Sequence, residues 1–203
     1  MGRPFPPGLC WLSLIWLAGL LWSGWQPYER STWWMEVAPA LLALPVLWLT
    51  ARRFPLSPLL YGLIILHGLI LMLGGAYTYA RVPLGFALQD WLQLDRNPYD
   101  KVGHFAQGFV PFLLSHELLW RYWQVPGRRL RLFLSLCVVM AISASYELVE
   151  WGAALALGQG ADAFLGTQGD PWDTQSDMGF ALLGGLCALP LALWTMRRLD
   201  RAA

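Results

Sequence analysis

Charge is scarce in this sequence: only 13% of its 203 residues are Asp, Glu, Lys or Arg, and the formal net charge is +1. No dense basic face is available to neutralise phosphates, so nucleic acid is not expected as a partner. Cysteine is equally sparse. Cys10, Cys137 and Cys187 lie scattered in apolar runs with no CxxC pair, so neither a disulfide framework nor a thiolate metal site is expected. HExxH, a glycine-rich phosphate loop, a serine in a nucleophile elbow and low-complexity tracts are all missing. No small-residue cleavage signal follows the apolar run that ends at Trp25. That run is therefore expected to be a retained first span, not a cleaved leader.

What the chain has instead is apolar length. It is 57% hydrophobic and carries 13 tryptophans, a profile far from that of a soluble domain. Stretches able to cross a hydrocarbon core of about 30 Å fall at roughly 9–25, 33–51, 57–79, 102–122, 130–155 and 174–196. The expected fold is all-α: a polytopic membrane helix bundle of about six transmembrane helices forming a single integral-membrane domain over 1–203. Pro39 and Pro45 predict a kink or a break in the second span. Trp22, Trp25, Trp33 and Trp34 cluster about the first connection, as interfacial aromatics do. With the longest connections at about 20 residues, no soluble domain fits between spans.

Six spans place the N-terminus, the second and fourth connections and the C-terminus on one side. That side holds Arg3, Arg52, Arg53, Arg121, Arg128, Arg129, Arg131, Arg197, Arg198 and Arg201. Arg30, Arg81, Arg96 and Lys101 lie on the other, a split of 10 against 4 that makes both termini cytoplasmic. The acids show the opposite bias, with only Glu117 and Asp200 of 13 on the basic side. His104 and Gln107 near the start of the fourth span, Glu147 and Glu150 near the end of the fifth, and Asp177 near the start of the sixth are then expected at one outward-facing depth.

Two carboxylates three residues apart on a helix project to one side, and a charge at bilayer depth costs at least about 2.5–3.5 kcal/mol, so Glu147 and Glu150 need partners. Pairing with Arg81, Arg96 or Lys101 is the structural alternative. Asn97-Pro98-Tyr99-Asp100 and Asp170-Pro171-Trp172-Asp173 look alike, each offering an N-cap residue, proline and an acid, so Asp100, Asp170 and Asp173 also suit capping. His104 and Asp177 sit one turn deeper, where capping does not reach. An imidazole among carboxylate oxygens suits Zn²⁺, Mn²⁺, Fe²⁺ or Mg²⁺ better than a soft metal. The candidate metal ligands are His104, Glu147, Glu150, Asp173 and Asp177, with Glu147 or Glu150 as catalytic base. Asp100, Asp170, Gln107 and Tyr77 are candidate supporting or capping residues, and no organic cofactor is expected. His67 reads as an interhelical hydrogen-bond partner, His116 and Glu117 as interfacial residues. Tyr77, Thr78 and Tyr79 are candidates for the pocket wall. The glycine-rich segment from Gly158 to Asp170 reads as a lid or re-entrant loop, against an ordinary loop.

Tyr99-Asp-Lys-Val-Gly103-His104-Phe-Ala-Gln107-Gly108-Phe, Ser145-Tyr-Glu147-Leu-Val-Glu150-Trp151 and the block from Asp162 to Met178 resemble the YjdF-like bacterial inner-membrane proteins. The likeness covers roughly residues 57–190. It implies a multi-pass protein of the bacterial cytoplasmic membrane and does not imply an activity. Where relatives commonly read Gly-Gly-His-Tyr-Thr-Tyr-Ala, this chain has Ala76 in place of the histidine. The Asp-Lys-x-x-His-Phe and Asp-x-x-x-Asp-Met patterns are also faintly similar to VanZ-like membrane proteins. The residues themselves point to a metal-assisted hydrolase or transferase at the outer leaflet, taking a lipid-linked substrate from the bilayer. The alternatives are a small transporter or cation-binding permease, and a non-catalytic membrane scaffold.

Overall fold

The computed structural model describes residue 6, residues 8–157 and residues 166–200, with the backbone alone for 197–200. Most of the expected lid, including Asp162, lies outside the described residues, as do Arg3 and Arg201. Among the described residues there are helices and no strands: α1 (Gly8–Trp25), α2 (Arg30–Thr50), α3 (Pro58–Tyr77), α4 (Pro83–Leu92), α5 (Tyr99–Arg121), α6 (Arg128–Leu157) and α7 (Asp173–Asp200).

Five of these helices, α1, α2, α3, α6 and α7, are long and apolar enough to cross a membrane. The helix expected as the fourth span, α5, is too polar to qualify by composition, and its position accounts for that polarity. It packs against α3, α6 and α7 at once, which buries Lys101, His104, Ser115, His116 and Glu117 against protein instead of lipid. At 23 residues it spans roughly 35 Å. Its N-terminus meets the start of α7, and its C-terminus meets the α2–α3 connection, so it runs from one end of the bundle to the other.

The helices fall into two groups, α1–α2–α3 and α5–α6–α7, joined by the packing of α3 on α5. In the first, Trp16 of α1 covers Gly68 of α3 and donates Nε1–H to the Ala40 carbonyl of α2 at 3.1 Å. Contrary to the break allowed for in the second span, α2 continues through Pro39 and Pro45. Neighbouring helices support a proline-containing membrane helix whose backbone hydrogen bonds are incomplete. In the second group, α5 and α7 approach backbone to backbone. A Cβ on Gly108 would lie 1.8 Å from the Ala181 carbonyl oxygen, and one on Gly184 2.1 Å from that of Phe105. Only glycine fits at such a crossing, and the contact sets Lys101 and His104 beside Asp177.

The ten-residue α4 was not legible as an element in the connection after α3. It is too short to span, and Leu84, Phe86, Trp91 and Leu92 are all exposed. That pattern suits a helix lying at the membrane interface.

Candidate functional site

The two similar helix starts take similar forms. Asn97 Oδ1 accepts the Tyr99 N–H at 3.0 Å, and Asp170 Oδ1 accepts the Trp172 N–H at 2.9 Å. Each side chain thus closes a turn two residues ahead of itself, just before its helix. The two starts are also stitched together. Gln168 accepts the Asn97 N–H through Oε1 at 3.1 Å and donates Nε2–H to the Asn97 carbonyl at 2.9 Å. Arg96 donates to the Thr167 carbonyl at 2.6 Å and pairs with Asp170 at 2.7 Å and Asp173 at 2.9 Å.

Lys101, the chain's only lysine, lies one turn further in. Its Nζ pairs with Asp173 Oδ1 at 2.8 Å and Asp177 Oδ1 at 2.6 Å, with Asp100 at 3.7 Å. Asp173, a candidate metal ligand, is therefore held by two cations and shares one oxygen between them. Asp170 is likewise occupied by capping and by Arg96.

Behind Lys101, His104 Nε2 faces Asp100 Oδ1 at 3.4 Å and Asp177 Oδ1 at 3.7 Å. Its Nδ1 faces Gln107 Oε1 at 3.2 Å. Asp100, His104 and Asp177 each offer a ligand atom within 4.8 Å of the other two, an arrangement able to hold a metal ion. Asp100, which the sequence placed as support, is thus within ligand distance. Nε2 faces carboxylate oxygens and Nδ1 faces the Gln107 amide, which can present either its oxygen or its NH2, so Nε2 suits a proton or a metal.

His104 opens onto a chamber of about 200 Å³ whose wall includes Asp100, Gln107, Tyr146, Glu150, Tyr79, His67 and Glu36. Glu36 is the residue that sequence reasoning missed. It lies near the start of α2, is 5% exposed, and accepts a 3.0 Å hydrogen bond from the Tyr146 hydroxyl of α6. The signal that singled out Glu147, a carboxylate within an apolar span, applied equally to Glu36.

The two α6 glutamates differ. Glu150 lines the chamber, is 9% exposed, and takes part in none of the hydrogen bonds or ion pairs among the described residues. Glu147 is buried beside the start of α7. Thr174 is close enough to act on it electrostatically, yet neither of its oxygens has a partner in hydrogen-bonding geometry. Neither glutamate pairs with Arg81, Arg96 or Lys101 among the described residues. Arg81 lies instead over the Tyr28 ring, 4.3 Å from its centre.

His67 lines the chamber, but its buried Nε2 has no hydrogen-bond partner, against the expectation of an interhelical bond. Tyr77 and Ala76 lie elsewhere, in an aromatic cleft with Trp22, Trp25 and Tyr28. The chain turns between Tyr77 and Tyr79 through left-handed backbone at Thr78 (φ 56°) and Tyr79 (φ 49°). That turn brings Tyr79 into the chamber and leaves Tyr77 outside. A histidine in place of Ala76 would stand in the aromatic cleft.

Comparison with known proteins agrees with the membrane architecture. Residues 8–200 match the family described as "Predicted membrane protein (DUF2238)". The chain is similar to the inner membrane protein YjdF of Escherichia coli (strain K12), with 58% identity over 183 residues that cover 90% of this chain and 88% of that protein. No solved structure matches the chain.

Proposed function

The chain belongs to the DUF2238 family of predicted membrane proteins, and from that premise we propose that this multi-pass inner-membrane protein is a metal-assisted hydrolase or transferase. It acts on a lipid-linked substrate at the outer leaflet. The observation that carries the reading is His104, whose Nε2 faces carboxylate oxygens where two carboxylates and the imidazole converge within 4.8 Å. One histidine and two carboxylates form a ligand set with positions left for water and substrate.

The division of work follows from the contacts. Asp100, His104 and Asp177 hold the ion, and Lys101 and Arg96 hold Asp177 and Asp173 in place. When bound, a divalent ion there would supply Lewis acidity toward water and a phosphoryl or acyl oxygen. Glu150, unpaired in the chamber wall, would accept a proton from attacking water and return it to the departing oxygen. The excess of Arg and Lys at the opposite end supports a chamber on the outer side and both termini in the cytoplasm.

Elemental analysis of protein purified without chelators tests the reading. The expected result is about one divalent metal per chain, retained in Glu150→Gln and lost in His104→Ala. Metal-free wild type that is stable and folded would overturn it, leaving an imidazolium paired with Asp100 and Asp177.

A further inference from the structure

The chamber is bounded by α2 and α6, two helices whose main packing is with others. α2 packs on α1 and α3, and α6 on α5 and α7. The Tyr146–Glu36 hydrogen bond, 3.0 Å long, joins α6 to α2. Outside it, α6 carries a shallow apolar groove of about 410 Å³ formed by Val138, Ala141, Ile142, Ser145, Tyr146 and Val149. Ile142 and Tyr146 border both groove and chamber, so the two meet at these side chains.

The inner end of this path is acidic. Glu36, Asp100 and Glu150 face the chamber, opposed there by His104. Among the described residues, Glu150 has no hydrogen bond or ion pair, and the buried Nε2 of His67 has no partner. Unpaired groups of this kind mark a polar ligand, because leaving a buried polar group unmatched costs about 1–3 kcal/mol. A chamber of about 200 Å³ is smaller than the roughly 300–1,000 Å³ of a drug-sized site, so it admits a headgroup and not a whole lipid.

We propose that the gap between α2 and α6 is a lateral portal for an amphiphile whose headgroup carries an ammonium, with its hydrocarbon chain in the α6 groove and the ammonium at Glu36. Tyr146 is the latch, giving up its bond to Glu36 when the ammonium takes that carboxylate. This rests on the reading of the chamber as a ligand site and names its substrate class. It does not depend on the metal.

Native mass spectrometry of the full chain, released from nanodiscs of equal dioleoyl phosphatidylethanolamine and dioleoyl phosphatidylglycerol, tests it. These lipids share chains and phosphate and differ in the amine. The expected result is one phosphatidylethanolamine retained per chain, with at least tenfold preference over phosphatidylglycerol. Glu36→Gln should remove the preference. Ala141→Trp, at an exposed position that tolerates bulk, should block retention by filling the groove. Equal retention of both lipids, or unchanged selective retention in both variants, would overturn the portal. Metal content read on the same samples separates the two proposals. Selective retention without metal upholds the portal and removes the metal site, whereas stoichiometric metal without lipid preference does the reverse.

Discussion

The two ends of α5 bury acids in opposite ways. At the end that meets the α2–α3 connection, Glu117 is fully matched: Oε1 accepts the Ser57 N–H at 2.8 Å, Oε2 accepts the Ser57 hydroxyl at 2.6 Å, and Arg121 pairs with Oε1. Arg121 and the Tyr122 hydroxyl both reach the Pro55 carbonyl, at 3.2 Å and 2.6 Å. One carboxylate thus closes the start of α3 and ties three segments together. At the other end, Asp100, Asp170, Asp173 and Asp177 share Lys101, Arg96 and His104, and among the described residues neither Glu147 nor Glu150 has a hydrogen-bond or ion-pair partner. A buried charge that serves structure is matched group by group. The unmatched end is the one arranged for something brought from outside.

Substitutions along α5 can break or sharpen that contrast, read by thermal unfolding of the purified protein. The largest effect is expected from Lys101→Met, which removes the cation shared by Asp173 and Asp177 and should destabilise by about 3–5 kcal/mol. Gly108→Val, midway between the ends, should cost about 3 kcal/mol by forcing α5 from α7, whichever end carries function. Glu117→Ala leaves the Ser57 N–H and a quarter-exposed Arg121 without their acceptor, for about 2–3 kcal/mol. The smallest shift belongs to Glu150→Gln. Removing a surplus carboxyl should leave stability unchanged or raise it by about 1 kcal/mol. A loss there as large as that of Glu117→Ala would erase the distinction between the ends.

Much of this arrangement could be read from the sequence, because membrane thickness converts position along a span into depth. Alternation of the spans alone brings His104, Glu150 and Asp177 to one end, and the paired Asx-Pro motifs place both helix starts beside them. Rotation about each helix axis is not so constrained, and there sequence reasoning stopped. It could not tell that Glu150 faces the chamber while Glu147 faces Thr174. Nor could it tell that Lys101 would engage Asp173 and Asp177 and leave both glutamates unpaired. Those outcomes depend on the α5–α7 crossing, set by Gly108 and Gly184, which are 76 residues apart in the chain. Glu36 escaped for a related reason. It reaches the chamber by way of Tyr146, 110 positions away, and no periodicity within α2 announces that contact.

The most direct test of the unmatched end is a divalent-metal titration of thermal stability. A ligand that binds only the folded chain stabilises it by about 2.7 kcal/mol at a hundredfold excess over its Kd. Wild type should therefore show a saturable rise in Tm with Zn²⁺ or Mn²⁺, Glu117→Gln should show the same rise from a lower starting point, and His104→Ala should show none. A wild-type Tm indifferent to every divalent ion tried, or a rise of equal size in His104→Ala, would contradict the account.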